Sequence, residues 1–201
     1  MKPTRPLLTD PAVLEALAHP VRLDVLSYLM ADGPATASVC ARAVRDTPSN
    51  CSYHLRVLSR HGLVERGASE DGRERPWKAT ITGFDLERSP GDRADGGAVG
   101  EAGAGADTAA AAAALMAASL QLDQRLVRDY VTHRDRVSSR WRASDAYATY
   151  VLRLTPAELR DLVERLDELI RPLIAATRDQ APPEAELVHL GLQAFPRSWP
   201  R

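Results

Sequence analysis

The chain reads as mainly helical with a small β component, an α+β protein, and three observations carry that reading. Helix-start signals recur ahead of apolar residues at helical spacing, one hairpin signal follows the fourth helix, and a glycine-rich stretch separates this block from a long amphipathic helix. The 201 residues fit one domain with an appendage or two small ones, each needing help to bury a sufficient core. Aromatics at 5% leave that core to aliphatic side chains.

The elements follow in order. Asp10 is a cap residue with Pro11 at the first helical position, and Leu14, Leu17 and Ala18 continue a helix that must stop before Pro20. A second helix begins there. Val21, Val25 and Leu29 repeat at i, i+4, i+8, with Leu26 and Met30 beside them, until Asp32-Gly33-Pro34 ends the run. A short helix is expected over 35–44, a turn at Arg45-Asp46, and a longer helix to about Arg60, capped by Thr47 with Pro48 at its first position. His61-Gly62 closes it. Strands over 63–66 and 77–82 then flank Asp71-Gly72, a strong hairpin-turn dipeptide. Helix, helix, helix, helix, hairpin is the order of a winged helix-turn-helix, expected over residues 1–84.

Residues 85–106 hold Gly91, Gly96, Gly97, Gly100, Gly103 and Gly105, half of the 12 glycines, and read as a flexible linker. Residues 107–201 form the remaining unit, a helical dimerisation and effector region containing two short strands. Asp107 or Thr108 can cap a helix to about Val137 whose apolar residues fall on two adjacent stripes. Leu115, Leu122, Leu126 and Tyr130 make the first, taken as the dimerisation seam; Met116, Leu120, Val127 and Val131 make the second. The β-branched and aromatic run 147–154 reads as a strand, and Thr155-Pro156-Ala157-Glu158 as a capping box starting a helix with Leu159, Leu162, Val163, Leu166, Leu169 and Ile170 inward. After Ala181-Pro182-Pro183, alternation over 187–195 suggests a second strand.

Net charge is −1, but a nucleic-acid binder is recognised by local charge, and residues 37–80 carry +3. In a helix-turn-helix the second helix must turn one face to the core and another to base edges in the major groove. Here Cys51, Leu55 and Leu58 fall at i, i+4, i+7, while Ser49, Ser52, Tyr53, Arg56 and Arg60 share a different face. Hydroxyls and guanidiniums are groups that bond phosphates and base edges, although a charged helix face is as often merely solvated. Thr47 and Asn50 at the start of the same helix complete the contact set. The hairpin carries Arg73, Arg75 and Lys78, suited to a backbone crossing or a minor groove beside that helix. Double-stranded DNA is the expected partner, with a protein-interaction module lacking DNA affinity as the alternative.

Three runs then point to a family. Leu17-Ala18-His19-Pro20-Val21-Arg22-Leu23-Asp24-Val25-Leu26, Ser49-Asn50-Cys51-Ser52-Tyr53-His54-Leu55-Arg56-Val57-Leu58 and His61-Gly62-Leu63-Val64-Glu65-Arg66 resemble, in order and spacing, the ArsR family of bacterial winged-helix regulators. The resemblance covers roughly residues 10–85. It implies a homodimer on an inverted-repeat operator, usually a repressor released by an effector. Metal-sensing members pair two cysteines in the first helix of the motif, and the matching positions here are Ser38 and Cys40. The family's other metal site uses acidic and His ligands in the dimerisation helix, where His133 stands without a second histidine. No metal and no cofactor are therefore expected, and an organic small molecule is the expected effector.

The remaining chemistry-bearing residues read as structure. Cys40 and Cys51 fall on the inward faces of the two motif helices, where cysteine behaves as a small apolar residue. His54 and His61 suit packing and helix termination. Gly96 to Gly103 lacks the preceding strand and following Lys-Ser/Thr of a phosphate loop, and the carboxylates of 158–168 alternate with Arg160 and Arg165 as an exposed ion-paired face does. No enzyme is expected: about 95 residues after the linker are too few for a doubly wound cofactor domain, whose glycine fingerprint is also missing. With no apolar run near the roughly 18 residues of a membrane span and no signal-type core at the start, the expectation is a cytoplasmic chain free of membrane contact.

Overall fold

The structure is a computed structural model that describes residues 6–67, 75–86, 102–179 and 182–196, with side chains over 106–174 of the third stretch. The chain divides into two compact units, Met1–Arg125 and Leu126–Arg201.

The first unit is a winged helix-turn-helix. After the short strand β1 (Leu7–Leu8), the Asp10 carboxylate accepts the Ala12 N–H at 2.9 Å and starts α1 (Pro11–Leu17). Helix α2 (Pro20–Asp32) begins on a proline and ends at Gly33, whose φ of 85° has no steric cost for glycine. The Thr36 hydroxyl caps α3 (Ala37–Val44) and the Thr47 hydroxyl caps α4 (Pro48–Arg60), each accepting a backbone N–H at 3.3 Å. Strands β2 (Val64–Arg66) and β3 (Trp77–Ala79) pair antiparallel with Val64 opposite Ala79. The hairpin is fastened to the helices: Ala35 and Trp77 exchange two backbone hydrogen bonds of 2.9 and 2.8 Å, and the Arg66 guanidinium stacks 3.9 Å above the Trp77 ring. Its tip, including the expected Asp71-Gly72 turn, lies outside the described residues.

Leu14, Leu17, Leu26, Leu29, Leu55 and Leu58 are fully buried at the centre. This is the aliphatic core that the composition requires. Beyond the hairpin, β4 (Asp85–Leu86) runs parallel to β1, with Leu7 beside Asp85 and Leu8 beside Leu86. Two-residue strands carry no periodicity, so neither is visible as a pattern in the chain.

Helix α5 spans Ala102–His133, longer at its start and shorter at its end than the sequence suggests. The expected linker 85–106 therefore has regular structure at both ends, in β4 and in the first turn of α5; its middle is outside the described residues. One expectation is corrected here. Leu115 is wholly buried, with Ala111 and Ala118, in the core of its own winged helix, and Leu122 packs against the same cluster. A stripe of apolar residues on a helix demands a cover without specifying whether it comes from the same chain, and here the chain supplies it. The Arg125 guanidinium reinforces this packing with a 2.6 Å ion pair to Asp24 of α2. Leu115 is thus unavailable as a dimerisation residue, whereas Leu126 and Tyr130 remain exposed.

In the second unit, α5 ends in a turn of 3-10 helix (Arg134–Arg136) and is followed by α6 (Ser139–Arg142). Asp145 accepts hydrogen bonds from the Tyr130 hydroxyl at 2.5 Å and Arg134 Nε at 2.9 Å, tying the end of α5 to the residues after α6. Helix α7 (Pro156–Asp179) opens with the expected capping box: Glu158 accepts the Thr155 N–H at 2.7 Å and Thr155 Oγ1 accepts the Glu158 N–H at 3.3 Å. Ion pairs Asp161 to Arg165, at 3.0 Å, and Asp167 to Arg171 line its exposed side. The two strands expected over 147–154 and 187–195 are not formed. Alternating apolar residues mark a half-buried strand, but alternation is a property of the side chains alone, and neither segment belongs to a sheet among the described residues. No helix among the described residues is long and apolar enough to cross a membrane.

Candidate nucleic-acid interface

The candidate site begins at the α3–α4 turn. Arg45 adopts a left-handed conformation at φ 57°, the only non-glycine to do so among the described residues, and this reverses the chain between the two helices. The Asp46 carboxylate then accepts the Thr47 N–H at 2.6 Å and the Asn50 side-chain amide at 2.7 Å, bonds that hold it below the usual carboxylate range. Thr47 and Asn50 are thereby engaged in building the start of α4, Thr47 as its cap and Asn50 as the clamp on Asp46.

From that fixed start α4 divides as its spacing requires. Cys51, Leu55 and Leu58 point into the core, joined by His54 and Val57; Ser49, Tyr53, Arg56 and Arg60 are exposed and Ser52 is half-exposed. Tyr53 keeps 53% of its surface in solvent while its ring edge meets the His54 ring at 5.2 Å, so a large aromatic is held outward with a defined orientation. His54 in turn lies 4.5 Å from the His19 ring, and burial pushes both imidazoles below their ordinary pKa. Neutral rings suit this contact, which welds α4 to the start of α2.

Arg75 is exposed, but Lys78 is paired with Glu65 at 3.0 Å, and Arg73 lies outside the described residues. An exposed ion pair of this kind contributes little to stability, so Lys78 is available to a phosphate that displaces Glu65. Two further cations of the motif, Arg42 on α3 and Arg45 in the turn, are exposed. Both count toward the local +3, but neither lies on the α4 stripe.

The two thiols are fully buried, and burial together with the neighbouring Cys51 pushes the Cys40 thiol up to about 11. A thiolate is the metal ligand and the nucleophile, so such a thiol is inert at neutral pH. No group of three His, Cys, Asp or Glu suited to a metal occurs among the described residues. Micromolar zinc or arsenite should accordingly leave both melting temperature and DNA binding unchanged; release from DNA that disappears in a Cys40→Ser, Cys51→Ser variant would contradict this.

One comparison with known proteins bears on the motif. Residues 17–67, about a quarter of the chain, match a family model described as a helix-turn-helix domain, from the end of α1 through β2. Among solved structures the chain is similar to a MarR family protein of Mycobacterium tuberculosis in complex with salicylic acid, at 20% identity over 80% of this chain and 87% of that chain. The TM-score is 0.26, too low to transfer anything from that protein. None of the curated proteins matches the chain.

Proposed function

We propose that this protein is a transcription regulator, ArsR-like in its N-terminal domain, that binds an inverted-repeat operator as a homodimer and acts as a repressor. The observation that carries the reading is the division of α4, which buries Cys51, Leu55 and Leu58 and leaves Ser49, Tyr53, Arg56 and Arg60 in solvent. A helix packed on one side and lined with guanidiniums and hydroxyls on the other matches what the major groove requires. Arg42, Arg45, Arg75 and Lys78 flank it as phosphate contacts, which position the helix without reading sequence. Dimerisation uses the apolar residues that α5 leaves uncovered, Met116, Leu120, Leu126, Val127 and Val131, with Tyr130 at the edge. With buried thiols, control passes to an organic small molecule.

Gel shift and footprinting on the protein's own promoter region test this. Two protected half-sites about one DNA turn apart, roughly 34 Å, are expected. Affinity should fall steeply with salt, each neutralised phosphate contributing a slope near −0.9 in log affinity against log salt. Binding that stays flat as salt rises, or no binding at all, would leave a winged helix that serves protein contacts.

A further inference from the structure

His54 is the only buried polar or charged side chain among the described residues, and it lies on α4. Its ring sits 4.5 Å from that of His19, the half-buried residue that starts α2, and 5.2 Å from that of Tyr53, which α4 holds out to solvent. Three buried side-chain nitrogens lack a hydrogen-bond partner among the described residues: Nδ1 of His19, Nδ1 of His54 and Nε of Arg22. All three fall in this one cluster, since the Arg22 charge acts on both rings. Buried polar atoms are ordinarily paired, so three orphans in one place call for an explanation beyond packing. We propose that the His19–His54 pair is a proton-operated lock on α4: neutral rings seat the helix against α2 for DNA binding, and protonation of the pair unseats it and releases the operator. The lock rests on the DNA binding of the proposed function and adds to it a response to acid.

The cluster is built to reject a proton. An imidazolium donates from both ring nitrogens, and Nδ1 of either ring has no acceptor. The groups that face the rings are Arg22 on α2, Asp46 in the α3–α4 turn and the phenol of Tyr53 on α4. Arg22 sets a fixed positive charge beside both, its Nη2 turned to the Glu15 carbonyl at 3.3 Å. His19 also stands at the N-terminus of α2, the positive end of that helix. Two protonated rings 4.5 Å apart would add their own repulsion. Asp46 is the carboxylate that opposes these charges, and it is already committed: Oδ1 accepts the Thr47 N–H and Oδ2 the Asn50 amide. Burial first, and then the neighbouring cations, hold both imidazoles below their ordinary value near 6.5. Rings released from the contact take protons more readily than seated ones. The contact is therefore fully stabilising above about pH 6.5 and is lost as pH falls below that toward the seated values. Acid ordinarily tightens association with DNA, because it adds positive charge opposite phosphates. A lock of this kind acts in the opposite direction, which makes it recognisable.

The test is a pH profile of the full chain between about pH 7.5 and about pH 5.5, the range in which histidine titrates. Affinity for promoter DNA is read by gel shift, and the melting temperature is read without DNA. Wild-type affinity should fall roughly tenfold or more over that range, with up to two protons taken up as the operator leaves, and the melting temperature should fall with it. His54→Phe keeps a ring that cannot be protonated; whatever its affinity at the upper pH, its profile should flatten in both readouts. His61→Gln, at the end of α4, should keep the wild-type profile. Proton NMR of the wild-type imidazoles needs no variant: both rings should gain their protons over the pH range in which the operator is released, and rings still neutral after release overturn the lock. Affinity that stays flat or rises on acidification overturns it while leaving DNA binding intact, as does an acid release that His54→Phe leaves unchanged. No binding at any pH sinks the regulator reading itself, a failure that the melts, which need no DNA, keep separate from the seating of α4.

Discussion

Arg56→Ala is expected to weaken operator binding roughly 5- to 150-fold, the equivalent of about 1–3 kcal/mol, while leaving the melting temperature nearly unchanged. Arg56 is exposed on the outward side of α4, and among the described residues its side chain makes no hydrogen bond or ion pair within the protein. Its removal therefore subtracts from recognition alone. Leu55, one residue earlier, is fully buried among the core leucines, and Leu55→Ala should destabilise the fold by about 2–5 kcal/mol through lost transfer energy and the cavity left behind. The pair separates recognition from stability on a single helix. Titration of operator DNA with both variants, beside their thermal melts, provides the check. Equal affinity of wild type and Arg56→Ala would place the recognition surface elsewhere.

The second large effect concerns α5. A chain ending at Arg125 retains Ala111, Leu115 and Ala118 in the core and keeps the Arg125 to Asp24 pair, so it should melt cooperatively. A chain ending at Gly105 loses that cover and should show no sharp transition. Within the full chain, Leu115→Ala alone should remove about 2–5 kcal/mol of stability. Calorimetry of the two truncations decides the matter: equal melting temperatures would mean that α5 merely rests beside the winged helix and that its buried stripe contributes little.

What the residues disclose, and what they withhold, follows from the range of the forces involved. Caps act over three residues, so Asp10, Thr47, Thr155 and Glu158 could be named from the chain and stand where expected. The two faces of α4 are likewise a local periodicity, and burial divides them as the spacing indicates. Leu115 shows the limit of that logic, since periodicity says that a stripe must be covered and is silent on whose side chains cover it. The same limit applies to 147–154 and 187–195, where alternation announces strands but neither segment belongs to a sheet among the described residues. The pairing of β1 with β4 joins residues far apart in the chain through two-residue strands, too short for any repeat to register. At the interface, Asn50 was legible as a polar residue at a helix start, but its amide is committed to Asp46, a choice made by the turn at Arg45.

The reciprocal cap of α7 also bears on the order of events in time. With Thr155 and Glu158 closing its first turn and i, i+4 ion pairs along its side, this helix carries its own instructions and needs no tertiary partner to begin. Helix formation of this kind takes about a microsecond or less, whereas subunit assembly takes milliseconds to minutes and depends on concentration. If two copies assemble as proposed, that step comes after α7 has formed. The assembly phase of refolding should then slow on dilution, while the winged helix, closed by its own α5, folds at a rate indifferent to how many copies are present.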